Sequence, residues 1–406
     1  MTLAPRPYQI EGRDFLAGRR FALLADEMRV GKTPQAILAA HKAGAESIIV
    51  VCPAIAVPHW EREVIKWWPG DRLPRATILS YNRATALWEA GLKGRTDVFI
   101  PDECHFAKSP EAKRTRMVYG KTGFGWNAGA IWPLSGTPAP KHAGELWCML
   151  KAFGVVGMTY DEFLRHYCVV DGLGIVRGTR VAKIPELRAI LSKIMLRRTR
   201  KQVAPEMPGI DFQFLEVKPT SDADFGIPEG LTDEQLTDWL ESNQVANRDV
   251  RIAVALAKVD SLCENISFAI ENGLLKQTVV FGWHVEPLVA LADKLNALGI
   301  RTEVLNGSTT PKQKERIQDN FRNGLTQVIA GNIMTCGTAI DLSSARHAYF
   351  LELDWVSGNN VQAANRMISM DKLDGVTIDV VTWPGSTDDR VQSVLMRRVR
   401  ELSQLY

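Results

Sequence analysis

An α/β fold of two tandem lobes, each built on a parallel sheet covered by helices, is predicted by three features of this 406-residue chain. Short apolar runs alternate with amphipathic stretches through the first half. The same alternation resumes after residue 275. A polar, acidic interval ("PTSDADFGIPEGLTDEQ") separates the two. Strands that alternate with helices must return in parallel and bury both faces, so they read as continuous apolar runs.

In the first half, "RFALLA", "SIIVVC", "ATILSY", "TDVFIP" and "AIWPLSG" are the predicted strands, with helices at "TPQAILAAHKAG" and "PHWEREVIKWW". Trp60, Val64 and Trp67 fall at i, i+4 and i+7, which marks one buried helix face, and packing is the expected role of these tryptophans. The second half offers strands at "QTVVFGW", "RTEVLNG", "TQVIAGN", "RHAYFLE" and "VTIDVVTW". Its helices are "VEPLVALADKLNALG" and "TPKQKERIQDNFRNG". The expected organisation is a first lobe over 1–208, a connector with its own helix over 209–255, and a second lobe over 256–406.

Composition sets outer limits. Hydrophobic content of 46% and charged content of 23% are those of a soluble globular protein, with no signal pattern and no membrane-spanning apolar run, so a cytoplasmic location is expected. The six cysteines are scattered without a C-x-x-C pair, which argues for reduced core thiols rather than a zinc site or disulfide framework. Net charge is +3 but uneven: residues 1–210 hold 31 basic against 19 acidic side chains, the remainder 18 against 27. The basic half is densest in "RGTRVAK" and "LRRTRK", runs that suit a polyanion such as DNA.

"ALLADEMRVGKTPQAI" carries the first chemical signal. Gly31-Lys32-Thr33 closes an apolar strand and opens a helix, the arrangement whose backbone amides cradle phosphates. Lys32 would reach the terminal phosphates and Thr33 would hold magnesium. Counting back through G-x-x-x-x-G-K-[ST], Asp26 stands where the first glycine belongs, and Arg29 stands in the middle. "VFIPDECH" is the second signal: an apolar strand ending in Asp102 and Glu103, then His105. Asp102 suits a magnesium ligand, and Glu103 suits a group that orients or deprotonates the attacking water. Ser135 and Thr137 follow in "LSGTPAP".

The order of these motifs resembles the superfamily-two helicase core, specifically the Swi/Snf-type DNA translocases and their annealing-helicase branch, over residues 5–383. "PRPYQIEGRDFL" resembles the adenine-reading entry motif, with Gln9 as the base contact, and "LADEMRVGKT" resembles LADEMGLGKT. Asp26 and Glu27 are therefore ordinary for this loop, and Arg29 is the departure. "VVCPAIAVPHWEREVIKW" resembles motif Ia, "PDECH" the DEAH-type motif II, and "LSGTPAP" motif III. "MLRRTRKQVAPEMP" resembles the stretch that leads out of lobe one. In lobe two, "VVFGWHVEPLVALADKL", "VLNGSTTPKQKERIQDNFRNG", "TCGTAIDLSSA" and "LELDWVSGNNVQAANR" resemble motifs IV, IVa and V and the approach to VI. Gly337 is kept there, and Ala339 replaces a second glycine.

The resemblance implies two RecA-like lobes with ATP and Mg2+ between them, and DNA, duplex or branched, gripped through its phosphates with little sequence preference. It implies Lys32, Gly31, Thr33, Gln9, Arg29, Gly337 and Arg366 at the nucleotide. It also implies Asp102, Glu103, Lys32 and Arg366 in catalysis, and His105, Ser135, Thr137 and Gln362 in coupling the lobes, His105 meeting Gln362. Motif VI keeps Arg366 but shows Ser369 where a second arginine is expected, leaving Lys372 or Arg29 to compensate. The expected activity is a DNA-dependent ATP hydrolase that remodels or anneals strands as a monomer, alongside other replication or recombination proteins. The alternatives are an ATP-gated DNA-binding protein with little hydrolysis and the motor subunit of a nuclease or restriction assembly.

Overall fold

The structure, a computed structural model, describes residues 4–205, 209–218, 230, 232, 235, 244–337, 340–354, 356–368, 375–384 and 392. These fall into two compact units that part after Pro205.

The first unit carries β1 (Leu23–Leu24), β2 (Ser47–Cys52), β3 (Arg75–Ser80), β4 (Thr96–Pro101), β5 (Ala128–Ile131), β6 (Cys168–Val170), β7 (Val176–Thr179) and β8 (Met195–Leu196). Its sheet runs β3-β2-β4-β5, every pair parallel. Parallel bridges from Phe21 to Ile131 and from Leu24 to Leu134, with the β1–β8 pair, prolong that order by short steps. The period of two sorts the apolar runs onto opposite faces. Leu23, Ile49, Val51 and Phe99 pack on one side with Met117, Leu150, Phe163 and Leu187. Leu24, Ile48, Val50, Val98 and Ile100 pack on the other, under the helices that supply Leu16, Ile37, Trp60 and Val64.

The second unit carries β9 (Ile210–Glu216), β10 (Thr278–Gly282), β11 (Thr302–Leu305), β12 (Val328–Asn332), β13 (His347–Phe350) and β14 (Val376–Thr382). They form one parallel sheet in the order β11-β12-β10-β13-β14-β9. One face is buried by Ala255, Val259, Leu262 and Ile266 of the helix Gln244–Glu271 and by Leu288, Leu291 and Leu295 of the helix Val285–Ala297. Lys258 is wholly enclosed there, and its ammonium donates to the carbonyls of Leu351 and Val381 at 2.8 and 3.0 Å.

The interval read as a connector differs from that reading. Residues 210–216 pair with all seven residues of β14, from Ile210 opposite Val376 to Glu216 opposite Thr382. "IDFQFLE" alternates apolar and polar side chains, as an edge strand does, but the acidic sequence after it masks the pattern. From Gln244 the chain is already within a 28-residue helix that belongs to the second core. All six cysteines are buried and unbridged. Among the described residues, no helix is long and apolar enough to cross a membrane.

Candidate functional site

β1 delivers the chain to a turn over residues 25–31, and the helix Lys32–Lys42 begins directly after it. Gly31 is held at φ 77°, and a Cβ there would lie 2.4 Å from Gln9 Nε2, so both conformation and space demand glycine. Arg29 adopts φ 68°, a left-handed conformation that costs a side-chain-bearing residue about 1–2 kcal/mol. The family's glycine at that point of the loop thus has a backbone reason, which the sequence showed only as a departure.

Lys32 donates from Nζ to the carbonyls of Asp26 (2.9 Å) and Glu27 (3.3 Å), so its ammonium is folded back over its own loop. Burial lowers its pKa, while Glu103, Asp26 and Asp102, in that order, favour its charge. Thr33 follows on the first turn, half-buried. Gln9 is buried: its Oε1 accepts from Arg6 N at 2.9 Å, and its Nε2 donates to Val30 O at 3.4 Å, which ties the entry helix Pro7–Ala17 to the loop.

The acid pair sits at the carboxyl end of β4, where Asp102 N donates to Val51 O and Cys104 N to Leu134 O. The Asp102 carboxylate accepts from Trp60 Nε1 at 2.8 Å and from Glu103 N at 3.0 Å. Burial first and the neighbouring Glu103 second push its carboxyl up to about 6, against the pull of Trp60 and Lys32. Glu103 itself stands at φ 49°, a second strained position in the chemistry-bearing segment.

Glu103 Oε2 lies 3.4 Å from Ser135 Oγ and 3.3 Å from His105 Nδ1, and that imidazole nitrogen also contacts Ser135 Oγ at 3.1 Å. Thr137 N donates to Ser135 Oγ. Burial lowers His105 to about 3, which favours the neutral ring, so its approach to Glu103 is a close contact rather than an ion pair, and its hydrogen bond goes to Ser135 Oγ. Lys32, Asp102, Glu103, His105, Ser135 and Thr137 thus converge from distant points of the sequence.

In the second unit, Arg366 donates from Nε (3.1 Å) and Nη2 (2.7 Å) to Gly337 O. A Cβ on Gly337 would meet Ile333 O at 3.2 Å and Gln362 Cβ at 3.6 Å, so Gly337, Gln362 and Arg366 form one cluster. Ala339, Ser369 and Lys372 lie outside the described residues.

Two features escape the sequence reading. The run "LRRTRK", expected to offer charge to a polyanion, turns much of that charge inward. Arg198 pairs with the fully buried Asp26 through Nη2 at 2.5 Å and Nε at 3.1 Å, and also binds Tyr8 O, Gln35 Oε1 and Glu11. Arg200 pairs with Glu27 at 2.8 Å, and Arg197 donates to Ala25 O and Gly136 O. These arginines clamp the 25–31 turn, because the buried Asp26 and the half-buried Glu27 need guanidinium partners. The signal available was the pair Asp26-Glu27 itself. Trp60 is the second feature: it packs as expected, yet its indole N–H also holds Asp102, as a buried donor must hold something.

Residues 8–101 match the SNF2-related domain, and residues 257–370 match the helicase conserved C-terminal domain. The chain thus carries an SNF2-related domain followed by a helicase conserved C-terminal domain. The chain is 24% identical to a SWI/SNF-related matrix-associated actin-dependent regulator of chromatin subfamily A-like protein 1 homolog of Caenorhabditis elegans, over 98% of this chain and 61% of that protein. It is 26% identical to the Bos taurus protein of that name, over 98% of this chain and 44% of the relative. It is 25% identical to the DNA annealing helicase and endonuclease ZRANB3 of Mus musculus, over 97% and 40%. It therefore spans about half the length of these relatives. The Sulfolobus solfataricus SWI2/SNF2 ATPase core in complex with dsDNA aligns over 98% of this chain and 92% of its own, with a TM-score of 0.46 and 20% identity.

Proposed function

We propose that this SNF2-related chain is an ATP-driven motor on double-stranded DNA that remodels or anneals strands. The observation that carries the reading is the convergence of Lys32 with Asp102 and Glu103 beside a glycine-gated helix N-terminus. A half-buried ammonium, two carboxylates and the backbone amides of a helix N-terminus together suit a magnesium-bound polyphosphate and fit few other ligands.

Lys32 exchanges its bonds to the loop carbonyls for the phosphates of ATP. Thr33 and Asp102 would hold the magnesium; the donor set fits, since a carboxyl raised first by burial and then by the neighbouring Glu103 gains most from a divalent cation. Magnesium, when bound, neutralises charge on the phosphates. Glu103 accepts the proton of the attacking water, and Ser135 and His105 fix the orientation of its carboxylate. Arg366 supplies the charge that stabilises the transferring phosphoryl group. Asp102-Glu103-Cys104-His105 is read as the D-E-x-H form of motif II.

The test is ATP turnover measured with single-stranded, duplex and forked DNA and with RNA. Duplex-stimulated turnover that vanishes in Lys32→Ala while DNA binding survives is expected. Glu103→Gln should bind ATP and fail to hydrolyse it. Turnover indifferent to any nucleic acid would refute the motor reading.

A further inference from the structure

One part of the first unit takes no part in the proposed chemistry. β6 and β7 form a two-stranded antiparallel hairpin, with a register shift between Val169 and Val170. Its tip carries Leu173, 84% exposed, flanked by exposed Val169 and Ile175, and Val181 stands exposed just beyond β7. Four exposed aliphatic side chains within thirteen residues are not the scattered singles of an ordinary surface.

The tip is rigidly built. Asp171 Oδ1 accepts from the backbone of Leu173 (2.9 Å) and Ile175 (2.8 Å), and its Oδ2 binds Arg177 Nε at 2.8 Å. Gly174 takes φ 81° to close the turn. At the base, Arg180 N donates to Tyr167 O and Thr179 Oγ1 accepts from Ala143 N. The backbone that carries Leu173 is therefore held in one place, and binding has only the side chain left to order.

Charge identifies the occupant. Residues 165–193 hold six basic and two acidic side chains, and both acids are engaged, Asp171 with Arg177 and Glu186 with Lys183. A purely apolar protein partner makes no use of this excess. Nucleic acid does, because it sets apolar base faces beside phosphates.

We propose that this hairpin is a wedge for branched DNA, in which Leu173 and Ile175 pack on base faces while the surrounding basic residues hold phosphates. The proposal rests on the DNA-motor reading. In an intact duplex the base faces are stacked and closed to a leucine. At a fork or junction the stack is already interrupted, so the tip gains contact without the cost of opening it. The hairpin thus makes this motor select branch points over plain duplex.

The experiment compares binding of the 406-residue chain to a fork and to a linear duplex of equal length, with 2-aminopurine at the fork junction. The wild-type chain should prefer the fork and brighten the probe. Leu173→Ser with Ile175→Ser should weaken fork binding about ten- to a hundredfold, the factor that corresponds to one buried aliphatic side chain. Duplex affinity and duplex-stimulated turnover should stay unchanged, and Leu173→Met should keep the preference. A wild-type chain that binds both DNAs equally, or a serine variant with the preference intact, would overturn the wedge and leave the motor reading standing. Fork binding retained while self-association is lost would place a second protein on the hairpin and also overturn it. A wild-type chain that binds no DNA would remove both readings together.

Discussion

Trp60 Nε1 lies 2.8 Å from Asp102 Oδ2, so a tryptophan from the helix Val57–Trp67 fixes the carboxylate at the end of β4. Partners behind a metal-holding or catalytic group typically matter by about 10–100-fold. Trp60→Phe keeps the ring in the core and removes the donor. It should cut DNA-stimulated turnover by roughly tenfold and raise the magnesium concentration needed for half-maximal rate. A titration of rate against magnesium checks this; an unchanged midpoint would reduce Trp60 to packing.

Arg198 and Asp26 make the other buried pair, and the arginine's remaining bonds reach Tyr8 and Gln35. Removing one partner of such a pair leaves the other charge stranded, at about 3–5 kcal/mol. Arg198→Ala should lower the unfolding free energy by that order, and Arg198→Lys should recover little of it, because an ammonium lacks the planar fork. Chemical denaturation measures the loss. The slope of DNA affinity against salt should remain that of the wild type, since Arg198 faces its own loop. A shallower slope with unchanged stability would return this arginine to the DNA surface.

At Arg29 two substitutions separate backbone from side chain. Alanine removes the guanidinium but keeps the cost of φ 68°, whereas glycine removes both. Arg29→Gly should be more stable than Arg29→Ala by about 1 kcal/mol. Thermal melting of the two variants gives the difference. If the side chain also serves ATP turnover in place of the arginine missing at Ser369, both variants slow equally, and Ser369→Arg restores them. Two variants of equal stability would show that the loop relaxes out of the left-handed conformation.

Acid stability carries two opposing contributions at the site. His105 is lowered to about 3 from an ordinary 6.5, by burial first and the Lys108 charge second. The unfolded chain takes that proton first, so the stability from the buried neutral ring is complete above 6.5 and is lost as pH falls toward 3. Asp102, raised to about 6 from 3.8, has the opposite sign, because the folded chain takes its proton first. Between pH 6 and 4 the two oppose. His105→Gln should therefore lose less melting temperature than the wild type between pH 7 and pH 5. Parallel profiles for the two proteins would show that His105 titrates normally in the fold.

The alternation of strands and helices, the Gly31-Lys32-Thr33 turn, the acid pair and the order of motifs were all legible in the sequence. Each of these is local: period-two runs such as "SIIVVC", and Gly31-Lys32-Thr33 or Asp102-Glu103 within a few residues, carry their physics in short windows. What the arginines of "LRRTRK" do follows from the fold alone, for Arg198 meets Asp26 across 172 positions, and a basic run looks the same whether it faces solvent or a buried acid. The fold likewise decides that Trp60 holds Asp102 from 42 positions away. That "IDFQFLE" forms an edge strand depended on β14, whose seven residues supply the backbone partners that no isolated strand provides. Hydrogen bonds and ion pairs between distant segments are set by how the sheets stack their helices, and a linear pattern names the donors without naming their acceptors.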